Sequence, residues 1–127
     1  MAMRKTAWIV LMGVSMQAQG TSILEFDQWM QRIEQRALSV QKQLVKQDAA
    51  ASTEDAQELV ALYEQMQHYF EARVNADRAV EMSRDGRDAA AAIVTHVAGK
   101  NFDAAVTAAR QLTRECRTCH RAYKPLE

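Results

Sequence analysis

The sequence predicts an all-α protein, an antiparallel up-and-down four-helix bundle. The 127-residue chain has only four Gly and one Pro, too few turn-forming residues for a many-stranded sandwich or barrel. Apolar residues recur every three or four positions along four successive segments, which is the spacing of one helix face. The stretches between the segments are short, so we expect consecutive helices to be antiparallel neighbours. A three-helix bundle with one long, bent helix is the alternative.

Residues 1–20 are predicted to be a signal peptide that is cleaved off. Arg4 and Lys5 precede an apolar run at residues 7–16, and small residues follow that run, the order typical of a secretory signal. A run of about ten apolar residues is too short to span a bilayer, which takes about twenty. The alternative is a first helix of the domain. We expect a periplasmic protein with one domain at residues 21–127 and with membrane contact only through the signal.

The first predicted helix runs from about Ile23 to Gln47. Its apolar residues follow one another in steps of four and three, which places them in one stripe. They are Phe26, Met30, Ile33, Ala37, Val40 and Leu44. The second predicted helix starts near Glu54, because Ser52 and Asp55 have the spacing of a capping box. Its apolar stripe holds Leu59, Tyr63, Met66 and Phe70.

We expect a turn at residues 74–76 to separate the second and third helices, with Asn75 capping the third. This division gives segments of similar length, but it leaves Gly86 inside the third helix at a cost of about 1 kcal/mol relative to Ala. The alternative is a second helix that runs on to Ser83 and a third that starts at Asp85. Gly99 is expected to end the third helix and Asn101 to cap the fourth. One face of the fourth helix holds Phe102, Val106, Ala109, Leu112, Cys116 and Tyr123, and either Cys119 or His120 occupies the position between the last two.

Both cysteines of the chain and one of its three histidines lie within five residues, in Cys116-Arg-Thr-Cys119-His120. This Cys-x-x-Cys-His spacing is that of a c-type haem attachment site. Two thiols three residues apart lie on one helical face, where they can form thioethers with the two vinyl groups of one haem. The adjacent imidazole is then held as the axial ligand of the iron. The motif predicts one covalent haem c.

Three alternatives for the motif stay open. A redox-active dithiol is typical of a helix N-terminus in a βαβ unit, whereas this pair lies near the end of a helix in a chain without predicted strands. A zinc site would need a fourth ligand, for which His68 and His96 are the candidates. A disulfide between positions i and i+3 of one helix is geometrically awkward and gives His120 no role.

With its surroundings, the motif resembles the class II c-type cytochromes, the cytochrome c′ family. Tyr123 stands three residues after the motif histidine and is followed by Lys124, and residues 99–106 are similar to the family's last interhelix turn. The resemblance is strong over residues 99–124. It implies a four-helix bundle, thioether bonds to both motif cysteines and axial ligation by His120. It also allows a homodimer through the first two helices.

In that family a first-helix residue faces the iron and decides the function. A Met ligand gives a six-coordinate electron carrier, whereas a non-coordinating aliphatic residue leaves the iron open to gases such as NO and CO. Met30 and Ile33 both lie on the inward stripe, so Met30 is the candidate distal ligand and Ile33 the candidate distal-pocket residue. We expect electron transfer with a redox partner protein; gas binding is the alternative. Met30 could equally be a gap-filling core residue.

The charge balance and the motifs of the chain bear on further classes of function. Sixteen Lys plus Arg balance sixteen Asp plus Glu, so the chain lacks the basic excess of a nucleic-acid binder. No Ser-His-Asp arrangement, phosphate loop or carboxylate pair stands out, and we expect no enzyme. Basic residues crowd the last helix, where they complement the helix dipole, pair with haem propionates or steer a partner. They are Arg110, Arg114, Arg117, Arg121 and Lys124.

Overall fold

The computed structural model describes residues 23–123, with side chains up to Arg121. Over this range the chain forms four α-helices and no strand. They are α1 (Ile23–Val45), α2 (Ala49–Glu71), α3 (Asp77–Ala98) and α4 (Phe102–Tyr123). The predicted all-α class with four helices is therefore confirmed, and the predicted signal peptide at residues 1–20 lies outside the described residues. None of the four described helices is both long enough and apolar enough to cross a membrane.

The helices pack in a ring in which each contacts its two neighbours in sequence and α1 contacts α4. The backbones of the diagonal pairs, α1 with α3 and α2 with α4, do not approach each other closely. The first two helices are antiparallel, because Phe26 near the start of α1 stacks on Tyr69 near the end of α2, whereas Arg36 binds Asp55. The interface between α2 and α3 is the most extensive and that between α1 and α4 the least. The bundle is thus least closed between its first and last helices.

The core is built from the apolar stripes that the periodicity predicts. In α1 the buried residues are Ile33, Ala37, Val40 and Leu44, with Phe26 and Met30 partly buried against them. The largest completely buried aliphatic side chains are Leu44, Leu59, Ile93 and Leu112, one from each helix. Each such side chain stabilises the fold by about 1.5–3 kcal/mol relative to its exposed state.

The start of α2 differs from the prediction. The helix begins at Ala49, earlier than expected, because Asp48 is its N-cap and the Asp48 side chain accepts a 3.1 Å hydrogen bond from the N–H of Ala51. The three alanines that follow Asp48 are strong helix formers. The predicted capping-box residues Ser52 and Asp55 are buried inside α2 instead. Asp55 there accepts hydrogen bonds from two α1 side chains.

The other helix boundaries agree with the prediction except at Asn75. The turn between α2 and α3 lies where it was expected, but Asn75 adopts a left-handed φ of 59° within the turn rather than capping α3. The N-cap of α3 is Ala76, which makes no side-chain capping bond. Gly99 ends α3 as predicted. Asn101 caps α4 as predicted, since its Oδ1 accepts a 3.1 Å hydrogen bond from the N–H of Ala104.

Candidate functional site

The structure brings all five predicted site residues together at one end of the bundle. An open cleft of about 370 Å³ lies between α1 and α4, within the range of about 300–1,000 Å³ that is usual for small-molecule and cofactor sites. Its α1 wall holds Met30, Ile33, Glu34, Ala37, Leu38 and Gln41, and its α4 wall holds Thr113, Cys116, Arg117 and His120. The cleft occupies the seam where the ring of helices is least closed.

A second, small cavity of about 30 Å³ lies behind the cleft, in the interior of the bundle. Four residues line both cavities: Met30, Ile33, Cys116 and His120. Cys119 lines the inner cavity together with residues of α2 and α3. The Cys-x-x-Cys-His motif therefore forms part of the boundary between an open cleft and the bundle interior.

The two candidate distal residues differ in burial. Ile33 is only 3% exposed and belongs to the core. Met30, almost one helical turn earlier, is half-buried. Both line the cleft, so an aliphatic side chain and a thioether side chain are presented by α1 toward the α4 wall.

Both motif cysteines are free thiols and both are half-buried. Burial raises the pKa of Cys116 and of Cys119 above the ordinary thiol value, because the thiolate loses solvation. For Cys116 a hydrogen bond with the hydroxyl of Tyr63, 3.3 Å from Sγ, partly opposes this rise in pKa. The thiols are accordingly protonated at neutral pH. His120 is exposed at the cleft.

Tyr63 is a site residue that sequence reasoning missed. Its side chain comes from α2, is 8% exposed and reaches Cys116 on α4. The ring lies against Gly86 of α3, where a Cβ atom would stand 2.6 Å from Cδ1 and Cζ of the ring. A glycine in the middle of a helix is costly, and its close contact with Tyr63 explains why this one is there. Gly86 was the one signal in the sequence that pointed to this packing.

The structure does not bring the two candidate zinc ligands to the motif. His68 is exposed, with 77% of its side chain accessible, and its Nδ1 lies 3.2 Å from Oε2 of Glu71 on the same helix. His96 lies near the C-terminal end of α3, about 20 Å along that helix from Ser83, which lines the inner cavity. Within residues 23–121, no three His, Cys, Asp or Glu side chains converge as a metal site.

The cleft combines three chemical properties. Its lining is largely apolar, its α4 side presents an imidazole and a thiol, and its rim carries Glu34 and Arg117. Thiols can form thioethers with electrophilic alkenes, and an imidazole is a good ligand for iron. Comparison of the chain with protein families, with curated proteins and with solved structures gave no match.

Proposed function

We propose that the protein is a periplasmic c-type cytochrome that carries one covalently bound haem and transfers electrons. The observation that carries this proposal is the position of Cys116 and His120 on the wall of an apolar cleft, facing Met30 and Ile33 across the α1/α4 seam, with Cys119 on the small cavity behind it. A motif on a closed, polar surface would have argued against it. Export rests on the charge and apolar pattern of residues 1–20.

The residues at the cleft fit a haem in chemistry as well as in place. Cys116 and Cys119 are free to form thioether bonds, and they would hold the cofactor covalently. His120 would be the axial ligand, and Arg117 at the rim is suited to bind a carboxylate. Once bound, a haem of this type supplies one-electron transfer at its iron.

The facing wall of α1 has two roles in this proposal. Ile33 and its aliphatic neighbours Ala37 and Leu38 would shield a bound cofactor from water, and an apolar environment favours the less charged redox state. Met30 offers the soft thioether sulfur that, together with a histidine, forms the axial pair of electron-carrying cytochromes. Its half-buried side chain lines the cleft on the side that faces the motif.

The test begins with expression of the full chain in a strain that has a working haem-attachment system. We expect a haem stain that survives denaturing electrophoresis, and we expect it to be lost in a Cys116→Ser/Cys119→Ser variant. The visible spectrum should be that of a low-spin, six-coordinate iron, and Met30→Leu should make it high-spin. Absence of the stain, in a strain that attaches haem to a control cytochrome, would overturn the proposal.

Gas binding is the second candidate, favoured by the burial of Ile33. Ile33 lines both cavities and is almost completely inaccessible, whereas Met30 is only half-buried. If Ile33 rather than Met30 faces the iron, the sixth position stays open. A wild-type protein with a five-coordinate, high-spin spectrum that binds CO or NO when reduced would establish this candidate in place of electron transfer.

A further inference from the structure

The basic residues of α4 form a continuous stripe on one side of the helix. Arg110, Arg114, Arg117 and Arg121 are spaced by four, three and four residues, which places them one above another. All four are exposed. None forms an ion pair with a described residue, since the ion pairs of this range lie between α1 and α2, within α2 and within α3. This arginine stripe is about 16 Å long at 1.5 Å per residue.

The unpaired charges of the bundle are unevenly distributed among its helices. Helix α2, which lies diagonally opposite α4, holds five carboxylates and no Lys or Arg. Two of these carboxylates, Asp55 and Glu58, are paired with arginines of α1. Although the chain is neutral overall, the exposed arginines therefore make the α4 side locally basic. Such an uneven distribution of charge orients a molecule as it approaches a charged partner.

The helix dipole does not account for the arginine stripe. The dipole favours basic residues only within about the last turn of a helix, and α4 extends to Tyr123. Arg121 lies in that last turn, but Arg114 and Arg110 lie about two and a half and three and a half turns before the end of the helix. Like charges three or four residues apart on a helix repel each other. The arginine stripe thus weakens α4, and no described acidic residue forms an ion pair with it.

We infer that the arginine stripe is a docking surface for a protein partner that presents a row of carboxylates. A guanidinium binds a carboxylate through two parallel hydrogen bonds, a geometry that suits a specific interface. Arg is also enriched at protein interfaces. Arg117 belongs both to the stripe and to the rim of the α1/α4 cleft. A docked partner would therefore lie beside the motif, and this last step rests on the proposed function.

The surroundings of the stripe favour a protein over a membrane or a nucleic acid. A helix that binds a lipid surface needs exposed apolar side chains beside its charges. The large exposed apolar residues of the described range are Ile23, Leu24, Leu38, Val45 and Val74, and none of them is on α4. The chain also lacks the overall basic excess that is typical of a nucleic-acid binder.

The test uses the full chain and three defined probes at low ionic strength. They are labelled poly-L-glutamate of about fifty residues, a duplex DNA of about twenty base pairs, and vesicles of phosphatidylcholine and phosphatidylglycerol at a ratio of about three to one. The test variant is Arg110→Gln/Arg114→Gln, which leaves the cleft untouched. The matched control is Arg78→Gln/Arg84→Gln, which removes two exposed arginines of α3.

We expect poly-L-glutamate to bind the wild-type protein, and to bind the stripe variant at least tenfold more weakly, while the control stays within twofold of wild type. Thermal unfolding of the stripe variant should occur at or above the wild-type temperature, because repulsion is relieved. No binding of poly-L-glutamate, or equal losses in the two variants, would refute the docking surface. So would a lower unfolding temperature for the stripe variant, which would make the arginines structural.

Tighter binding of the DNA or of the vesicles than of poly-L-glutamate would refute the assignment to a protein partner. None of these measurements needs haem, so they can also be made on protein to which no haem has been attached. Failure of haem attachment would overturn the proposed function and leave the arginine stripe to be judged by its own assay.

Discussion

Replacement of Gly86 by Ala should destabilise the protein, although the same change stabilises most helices. Ala is favoured over Gly inside a helix by about 0.8–1 kcal/mol. At this position the new Cβ would lie 2.6 Å from Cδ1 and Cζ of Tyr63, well inside van der Waals contact. The ring cannot move away freely, because it is buried and its hydroxyl is bonded to Cys116. Overpacking of this kind costs about 1–3 kcal/mol. After the gain in helix propensity is subtracted, we expect a net loss of up to about 2 kcal/mol.

Urea unfolding followed by circular dichroism measures this loss. Gly99→Ala is the matched control, because a Cβ there would stand 3.6 and 3.7 Å from the nearest carbonyl oxygens and φ is −82°; it should be neutral or slightly stabilising. In a Tyr63→Ala background the cost of Gly86→Ala should disappear, since the ring is gone. A Gly86→Ala protein at least as stable as wild type would show that the Tyr63 ring does not fill this space.

Three smaller perturbations test a helix cap, a buried carboxylate and the titrating groups. Asn101→Ala removes the cap of α4 and should lower the free energy of unfolding by about 1 kcal/mol in urea titrations; an unchanged midpoint would contradict the cap. Asp55→Ala removes the acceptor of Ser39 and one of the two carboxylates that Arg36 binds, and it should lower the free energy of unfolding by about 1.5–3 kcal/mol. Asp55→Asn should cost less, and equal losses would contradict this. Burial raises the pKa of Cys116 and of Tyr63 in the folded state. The free energy of unfolding of the haem-free protein should therefore keep its full value below about pH 8.5 and decrease above it. The decrease should be less steep in Cys116→Ser. A free energy of unfolding that does not change between pH 8 and 10 would refute this reasoning.

Helix periodicity was sufficient to locate the four helices because each buries one stripe against its neighbours. It was insufficient at the start of α2, where two local signals compete. Ser52 and Asp55 have the spacing of a capping box, but three alanines before them extend the helix back to the Asp48 cap. Burial of Asp55 against Arg36 and Ser39 of α1 settles the competition. That tertiary contact cannot be recognised from local sequence.

The turns show a second limit of sequence reasoning. Each connection between helices contains one non-glycine residue with a left-handed φ: Gln47 at 56°, Asn75 at 59° and Lys100 at 58°. A chain poor in Gly and Pro thus turns at residues that carry a side chain, at some cost in backbone strain. Only Asn among these three residue types is a usual occupant of that region, so the sequence offered no cue at the other two.

The candidate site was predictable to the extent that it is local. Cys116, Cys119 and His120 form a motif within five residues, and Met30 and Ile33 lie on a stripe with helical spacing. The contact of Tyr63 with Cys116 was not predictable, because it depends on how α2, α3 and α4 cross. The burial difference between Met30 and Ile33 likewise depends on the rotation of α1 about its axis, which periodicity fixes only to within part of a turn.

The position of the α1/α4 seam also determines when the cleft can form during synthesis and folding of the protein. Its walls come from the first and last described helices, which are the pair furthest apart in sequence, so closing it involves the longest loop in the bundle. The strongly packed middle of the chain can form from contacts between adjacent helices, which are faster to make. On the ribosome, the cleft cannot exist until α4 has been synthesised. Any reaction at Cys116 that depends on the shape of the cleft must therefore follow translation of α4.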